Sequence, residues 1–79
     1  MYKIKLGELE FYADVPSPNR DVVEFVTGFR NDTMIALQEQ GSIVEISLQE
    51  AGSDQTRTGR GKLTEWRLGE GGTIQFEEN

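Results

Sequence analysis

The chain has 79 residues, no cysteine and no histidine, and a formal net charge of −6 from 14 acidic and 8 basic residues. A chain of this length forms one domain, so residues 1–79 are treated as a single unit. The missing cysteine and histidine exclude disulfides, argue against zinc and other transition-metal sites, and remove the usual nucleophile and base of triad enzymes. We therefore expect a domain that is not an enzyme and needs no cofactor.

The N-terminal segment follows the two-residue period of β-strands. Apolar and polar side chains alternate from Tyr2 to Leu6, and after Gly7 the alternation resumes on the opposite parity as far as Val15. A parity change at a glycine predicts a bulge or a sharp bend, a device that curls small sheets into barrels. The second stretch places four side chains on one polar face: Glu8, Glu10, Tyr12 and Asp14.

Residues 21–30 fit two secondary structures. Val22, Phe25 and Phe29 fall on one stripe of a helix, and Pro18 suits its first turn, which gives a short helix near 18–28. The density of β-branched and aromatic residues favours a strand instead, and we adopt that interpretation. Such a strand carries apolar side chains on both faces, so we expect it to be central in the sheet or covered by a partner.

Residues 33–48 predict a hairpin. Val44 to Leu48 alternate strictly, and the segment Thr33 to Glu39 is interpreted as the partner strand, with the turn near Gly41. The residues from Met34 to Gln38 are equally good helix formers, so a helix stays open as the alternative there.

The C-terminal region predicts a second hairpin, because Leu63–Leu68 and Thr73–Glu77 flank a glycine-rich turn. Trp66 is predicted to lie in the core. The whole pattern favours an all-β fold, a small antiparallel barrel or sandwich of five to seven short strands. The alternative is an α+β fold with one short helix near 18–28 packed on the sheet.

The segment 52–62 contains no apolar side chain, three glycines and a concentration of positive charge. We interpret it as a flexible hairpin loop whose cations contact an acidic surface. Together with the polar face around Tyr12, this loop and its flank supply the candidate partner-binding residues: Arg57, Arg60, Lys62, Arg67, Tyr12, Glu8, Glu10 and Asp14. No catalytic, cofactor-binding or metal-binding residue is predicted.

These features favour a non-catalytic protein-interaction module, a structural or assembly subunit of a larger complex such as a virion or secretion particle. The partner is expected to be a protein, other copies of the chain included, and not nucleic acid, a membrane or a small-molecule substrate. The alternative is an acidic inhibitor or immunity-type protein that blocks a basic active site or nucleic-acid-binding surface. The expected location is the cytoplasm, or an assembly built there, because no signal-peptide pattern is present.

Overall fold

The computed structural model describes residues 1–79 as six antiparallel strands and one helix. In chain order these are β1 (Tyr2–Leu6), β2 (Leu9–Ala13), β3 (Val22–Val26), α1 (Asp32–Gln40), β4 (Val44–Glu50), β5 (Thr56–Arg67) and β6 (Gly71–Glu78). The strands form one sheet in the order β2-β1-β4-β5-β6-β3, which curls into a half-barrel. The β-rich fold of five to seven strands is therefore confirmed, with one helix added to it.

The concave side of the sheet holds the core. Its buried side chains come from every strand, since period-two alternation points every second residue inward. Met34 of α1 is fully buried among them, so the helix packs onto the concave side against β5. Trp66, predicted to lie in the core, is partly buried and packs against the outside of this cluster, with its ring 6.1 Å from that of Phe25.

The two edge strands of the sheet, β2 and β3, meet at a single point, which we call the seam. Asp14, just after β2, and Val26 of β3 exchange two backbone hydrogen bonds of 2.8 Å. The next hydrogen-bonded pair would require an N–H from Pro16, which proline lacks, so the ladder stops. On the other side of the bridge the Thr27 hydroxyl donates to the Tyr12 carbonyl at 2.7 Å. The two edges of the half-barrel are thus joined only by one bridge and one side-chain hydrogen bond.

Residues 22–26 form a strand, as predicted, and a helix near 18–28 is wrong. The expectation that this strand is central is also wrong, because β3 is the last strand of the sheet and pairs along its length only with β6. Val23 and Phe25 face the core, whereas Val22 and Val26 are exposed on the convex side. One apolar face of β3 is therefore left uncovered.

The prediction of a strand at Thr33–Glu39 is wrong, since these residues belong to α1. Asn31 caps the helix by accepting a hydrogen bond of 2.8 Å from the Thr33 N–H, and Gly41 ends it in a left-handed conformation (φ 63°). The glycine that was assigned to a hairpin turn is thus a helix terminator. The chain contains no helix with the length and apolar character required to cross a membrane.

Replacing Asn31 with alanine is expected to lower the free energy of unfolding by about 1 kcal/mol, because the Thr33 N–H loses its acceptor. Urea denaturation followed by the fluorescence of Trp66 measures this loss. Asn31→Asp keeps a capping oxygen and should retain most of the stability. Equal losses in the two variants would contradict the capping role.

The flexible loop predicted at 52–62 is wrong for most of its length. The turn covers residues 51–55, and from Thr56 onward the chain is the long central strand β5, paired with β4 on one side and β6 on the other. Gly59 and Gly61 occupy inward positions where neighbouring strands approach closely. Glycine there permits a sharply curled sheet, which is why the strand lacks the apolar side chains of its neighbours.

Candidate interaction surface at the barrel seam

Four large apolar side chains are exposed on the convex side, three of them at the seam and the fourth, Val22, at the other end of β3. Their exposed fractions are 63% for Met1, 58% for Tyr12, 52% for Val22 and 56% for Val26. We call these four residues the seam surface. Because Tyr2 pairs with Ala13 and Asp14 bridges to Val26, the chain start, the end of β2 and β3 lie side by side. Met1, Tyr12 and Val26 are therefore brought together at the seam, while Val22 extends the exposed apolar face to the other end of β3.

A recess of about 400 Å³ lies within this surface. Met1, Tyr12 and Val26 form its apolar walls, and the carboxylates of Asp14 and Glu70 belong to its lining. Apolar side chains surrounded by polar groups are typical of surfaces that bind other proteins.

The predicted acidic face around Tyr12 is partly neutralised by the neighbouring strand. Pairing of β1 with β2 places Lys3 opposite Tyr12 and Lys5 opposite Glu10. The ammonium of Lys3 lies 3.6 Å from a carboxylate oxygen of Glu10. Ion pairs this exposed contribute little to the free energy of unfolding. The pair matters for the charge distribution instead, because Lys3 balances the negative charge of Glu10 on the β1 side only.

Arg57 was predicted to lie on an exposed, flexible loop, but in the structure its side chain does not project into solvent. Its side chain is 15% exposed and faces inward, where the guanidinium lies 4.3 Å from the centre of the Phe76 ring. One terminal nitrogen donates to the carbonyls of Pro18 and Arg20 at 2.8 and 2.7 Å, and Nε donates to Glu78 at 3.1 Å. Arg57 therefore fixes the segment between β2 and β3 to the sheet.

The other three predicted cations also belong to β5. Arg67 forms ion pairs with Glu65 and, at 3.5 Å, with Glu70. Arg60 and Lys62 face the convex side of β5 and form no ion pair, although Arg60 lies between Glu45 and Glu77 in the strand register. The structure places Arg57, Arg60 and Lys62 at one broad recess of about 1170 Å³, beside Glu77 and Glu78, and only Arg67 lies apart from it.

A second recess, of about 480 Å³, lies at the end of the barrel where Arg57 is anchored. Tyr2, Leu48 and Glu50 line it from β1 and β4. Partial burial raises the pKa of the Tyr2 phenol, and the negative charge of Glu50 raises it further. The recess is thus a polar cleft in which the engaged guanidinium of Arg57 lies near the Tyr2 phenol and the Glu50 carboxylate.

Sequence reasoning identified Tyr12 but missed the other members of the seam surface. The signal for Val22 and Val26 was present, because a strand with two apolar faces must leave one uncovered at a sheet end. Nothing in the sequence indicated Met1, whose position follows from the pairing of β1 with β2.

No three or more acidic side chains are arranged to hold a metal ion. Comparisons with protein-family models, curated proteins and solved structures gave no match. The fold and its surface define a small antiparallel half-barrel with an apolar patch at an incompletely paired seam.

Proposed function

We propose that the chain is a non-catalytic protein-interaction module, a subunit that joins a larger assembly by binding a partner protein through the seam surface. The observation that carries the proposal is the exposure, by more than half, of Tyr12, Val22 and Val26 on the two strands that flank the seam. Tyrosine in such a setting is a frequent source of binding energy at protein interfaces. The proposed location is the cytoplasm or an assembly built there.

A second candidate is an acidic inhibitor that covers a basic surface of its target. It is favoured by the charge distribution, because Arg57 and Arg67 are engaged within the fold while the net charge is −6. Acidic residues beside Tyr12, namely Glu8, Glu10 and Asp14, would then contact the target. An acidic surface of this kind attracts basic partners over long range.

Site-specific crosslinking tests the proposal. A photoreactive phenylalanine in place of Tyr12 or Val26 is expected to yield the same crosslinked partner in the cells that produce the chain. The same residue in place of the exposed Glu39, on α1, is the matched control and should yield none. With the identified partner purified, Tyr12→Ser should weaken binding by about tenfold or more, the effect of truncating an interface anchor.

Equal crosslinking at all three positions, or unchanged affinity of the Tyr12→Ser variant, would contradict the proposal. The nature of the complex separates the two candidates. A partner that assembles further once the chain is bound supports the subunit, whereas a one-to-one complex in which the partner loses its activity supports the inhibitor.

A further inference from the structure

The edge of β2 that faces away from β1 has unpaired backbone groups. The backbone N–H and C=O of Asp14 point to Val26, so by strand alternation those of Glu10 and Tyr12 point to the same open edge. Only the Tyr12 carbonyl has a partner there, the Thr27 hydroxyl. The N–H and C=O of Glu10 and the N–H of Tyr12 form no hydrogen bond.

We propose that an extended segment of a partner protein adds to this edge as an antiparallel strand. Its side chains opposite Glu8 and Glu10 are basic. The strand ends beside Tyr12, where Thr27 already lies at the edge, and its last side chain, apolar or aromatic, packs on the exposed Tyr12 ring. The inference rests on the proposed function, since it specifies the binding mode and the partner chemistry of the seam surface. Strand addition supplies affinity through backbone hydrogen bonds and specificity through every second side chain.

The charges on β2 exclude a second copy of the chain as the added strand. The residues on the open edge and convex face are Glu8, Glu10, Tyr12 and Asp14. Every antiparallel register of β2 against β2 that includes Glu10 aligns two carboxylates: Glu8 with Glu10, Glu10 with itself, Glu8 with Asp14, or Glu10 with Asp14. Like charges directly opposite each other destabilise a strand pair. Acidic residues on an edge strand thus prevent self-pairing and leave the edge open to a basic strand.

The side chains that the added strand can carry are limited by the charges and the ring packing along β2. Lys3 balances Glu10 from the β1 side, at 3.6 Å, and Glu8 and Asp14 form no ion pair. A basic strand on the open side therefore faces the unpaired carboxylate of Glu8 and a Glu10 carboxylate whose only cation lies on the β1 side. Its inward side chains must be small, because Phe11 is already stacked against Phe29 with ring centres 4.9 Å apart.

A synthetic peptide provides the first test. Read from its N-terminus, Ac-Tyr-Thr-Lys-Thr-Lys-NH₂ places its two lysines opposite Glu10 and Glu8 and its terminal tyrosine beside Tyr12. Titration of the ¹⁵N-labelled chain should shift the amide signals of β2. At saturation, amide hydrogen exchange at Glu10 and Tyr12 should slow by about tenfold, since these N–H groups gain acceptors.

Two control peptides separate strand addition from charge attraction. Glutamate in place of both lysines should weaken binding by about tenfold, because two attractive cross-strand pairs become repulsive. Methylation of the backbone nitrogen of the central lysine removes the N–H that bonds to Glu10 and should abolish the slowed exchange. Equal binding of the methylated peptide would overturn strand addition.

Variants of the chain complete the design. Glu10→Lys should reverse the preference, so that the glutamate peptide binds more tightly than the lysine peptide. Glu39→Lys makes the same change in net charge on the exposed face of α1 and should leave the preference intact. Glu10→Gln, which removes charge without adding a third cation beside Lys3 and Lys5, keeps the test valid if Glu10→Lys fails to fold.

The outcomes also separate this inference from the proposed function. Shifts at Tyr12 and Val26 without slowed exchange would mean that the seam surface binds without strand addition, which overturns only the inference. If the peptide shifts no signal at the seam, and the partner crosslinked through Tyr12 or Val26 is absent as well, both fail. A response to the peptide equally strong in Glu39→Lys and Glu10→Lys would reduce the effect to net charge and also overturn the inference.

Discussion

Alanine in place of Gly61 is expected to prevent folding or to lower the free energy of unfolding by about 3 kcal/mol or more, the upper end of the cost of overpacking. Gly61 faces inward on β5 and is paired with Val44 on one side and Phe76 on the other. An added methyl group would overlap the Gln75 carbonyl oxygen and lie 3.1 Å from Cδ1 of Ile46. Because β5 is paired on both sides, it cannot move away without breaking a ladder.

Circular dichroism reports whether the Gly61→Ala variant folds, and urea denaturation followed by Trp66 fluorescence measures the loss. Gly28→Ala is the matched control, since no heavy atom lies within 4 Å of the position of its added methyl group. Its free energy of unfolding should stay within about 0.5 kcal/mol of the parent chain. A similar loss in both variants would mean that glycine at position 61 is not required by the approach of β6.

Most of the strands could be predicted because each buries only one face. In β1, β2 and β4 the period-two alternation of apolar residues marks the inward side, and the structure places those side chains in the core. The glycine-rich turn after Arg67 likewise predicted the hairpin of β5 and β6. Gly7, where the parity changes, lies in the two-residue turn between β1 and β2 and has a φ of 62°, so the predicted bend is a hairpin turn.

Two elements could not be assigned because their determinants are ambiguous or distant. Gly41 fits both a hairpin turn and a helix end, and only the capping hydrogen bond of Asn31 distinguishes them. In β5, the inward positions of Gly59 and Gly61 carry no apolar signal, so a central strand resembled a polar loop. Their role is set by the carbonyls of β6, which the local sequence does not reveal.

The candidate site could likewise be predicted only in part, because alternation is a local signal and long-range contacts are not. Alternation alone placed Tyr12 on the outer face, and the two apolar faces of β3 indicated an uncovered surface. The role of Arg57 was missed because its partners, the carbonyls of Pro18 and Arg20, are 39 and 37 residues away in sequence. Such a contact depends on the order of strands in the sheet.

Methionine in place of Arg57 is expected to lower the free energy of unfolding by about 2–3 kcal/mol. Hydrogen bonds from charged groups contribute about 1.5–3 kcal/mol, and the guanidinium donates to Glu78 and to the carbonyls of Pro18 and Arg20. Methionine retains packing over Phe76 but supplies no donor. Urea denaturation measures the loss, and amide exchange should show that residues 16–21 open more often than the rest of the chain.

Two further variants separate charge from geometry. Arg60→Met removes an equal charge from the exposed side of the same strand and should change stability by no more than about 0.5 kcal/mol. Arg57→Lys keeps the charge but replaces the planar fork by a single ammonium, which cannot reach both carbonyls and Glu78 together. It should recover less than half of the lost stability. Full recovery in Arg57→Lys would mean that the positive charge alone holds residues 16–21. Equal losses in Arg60→Met and Arg57→Met would mean that net charge, and not the anchoring of residues 16–21, sets the free energy of unfolding.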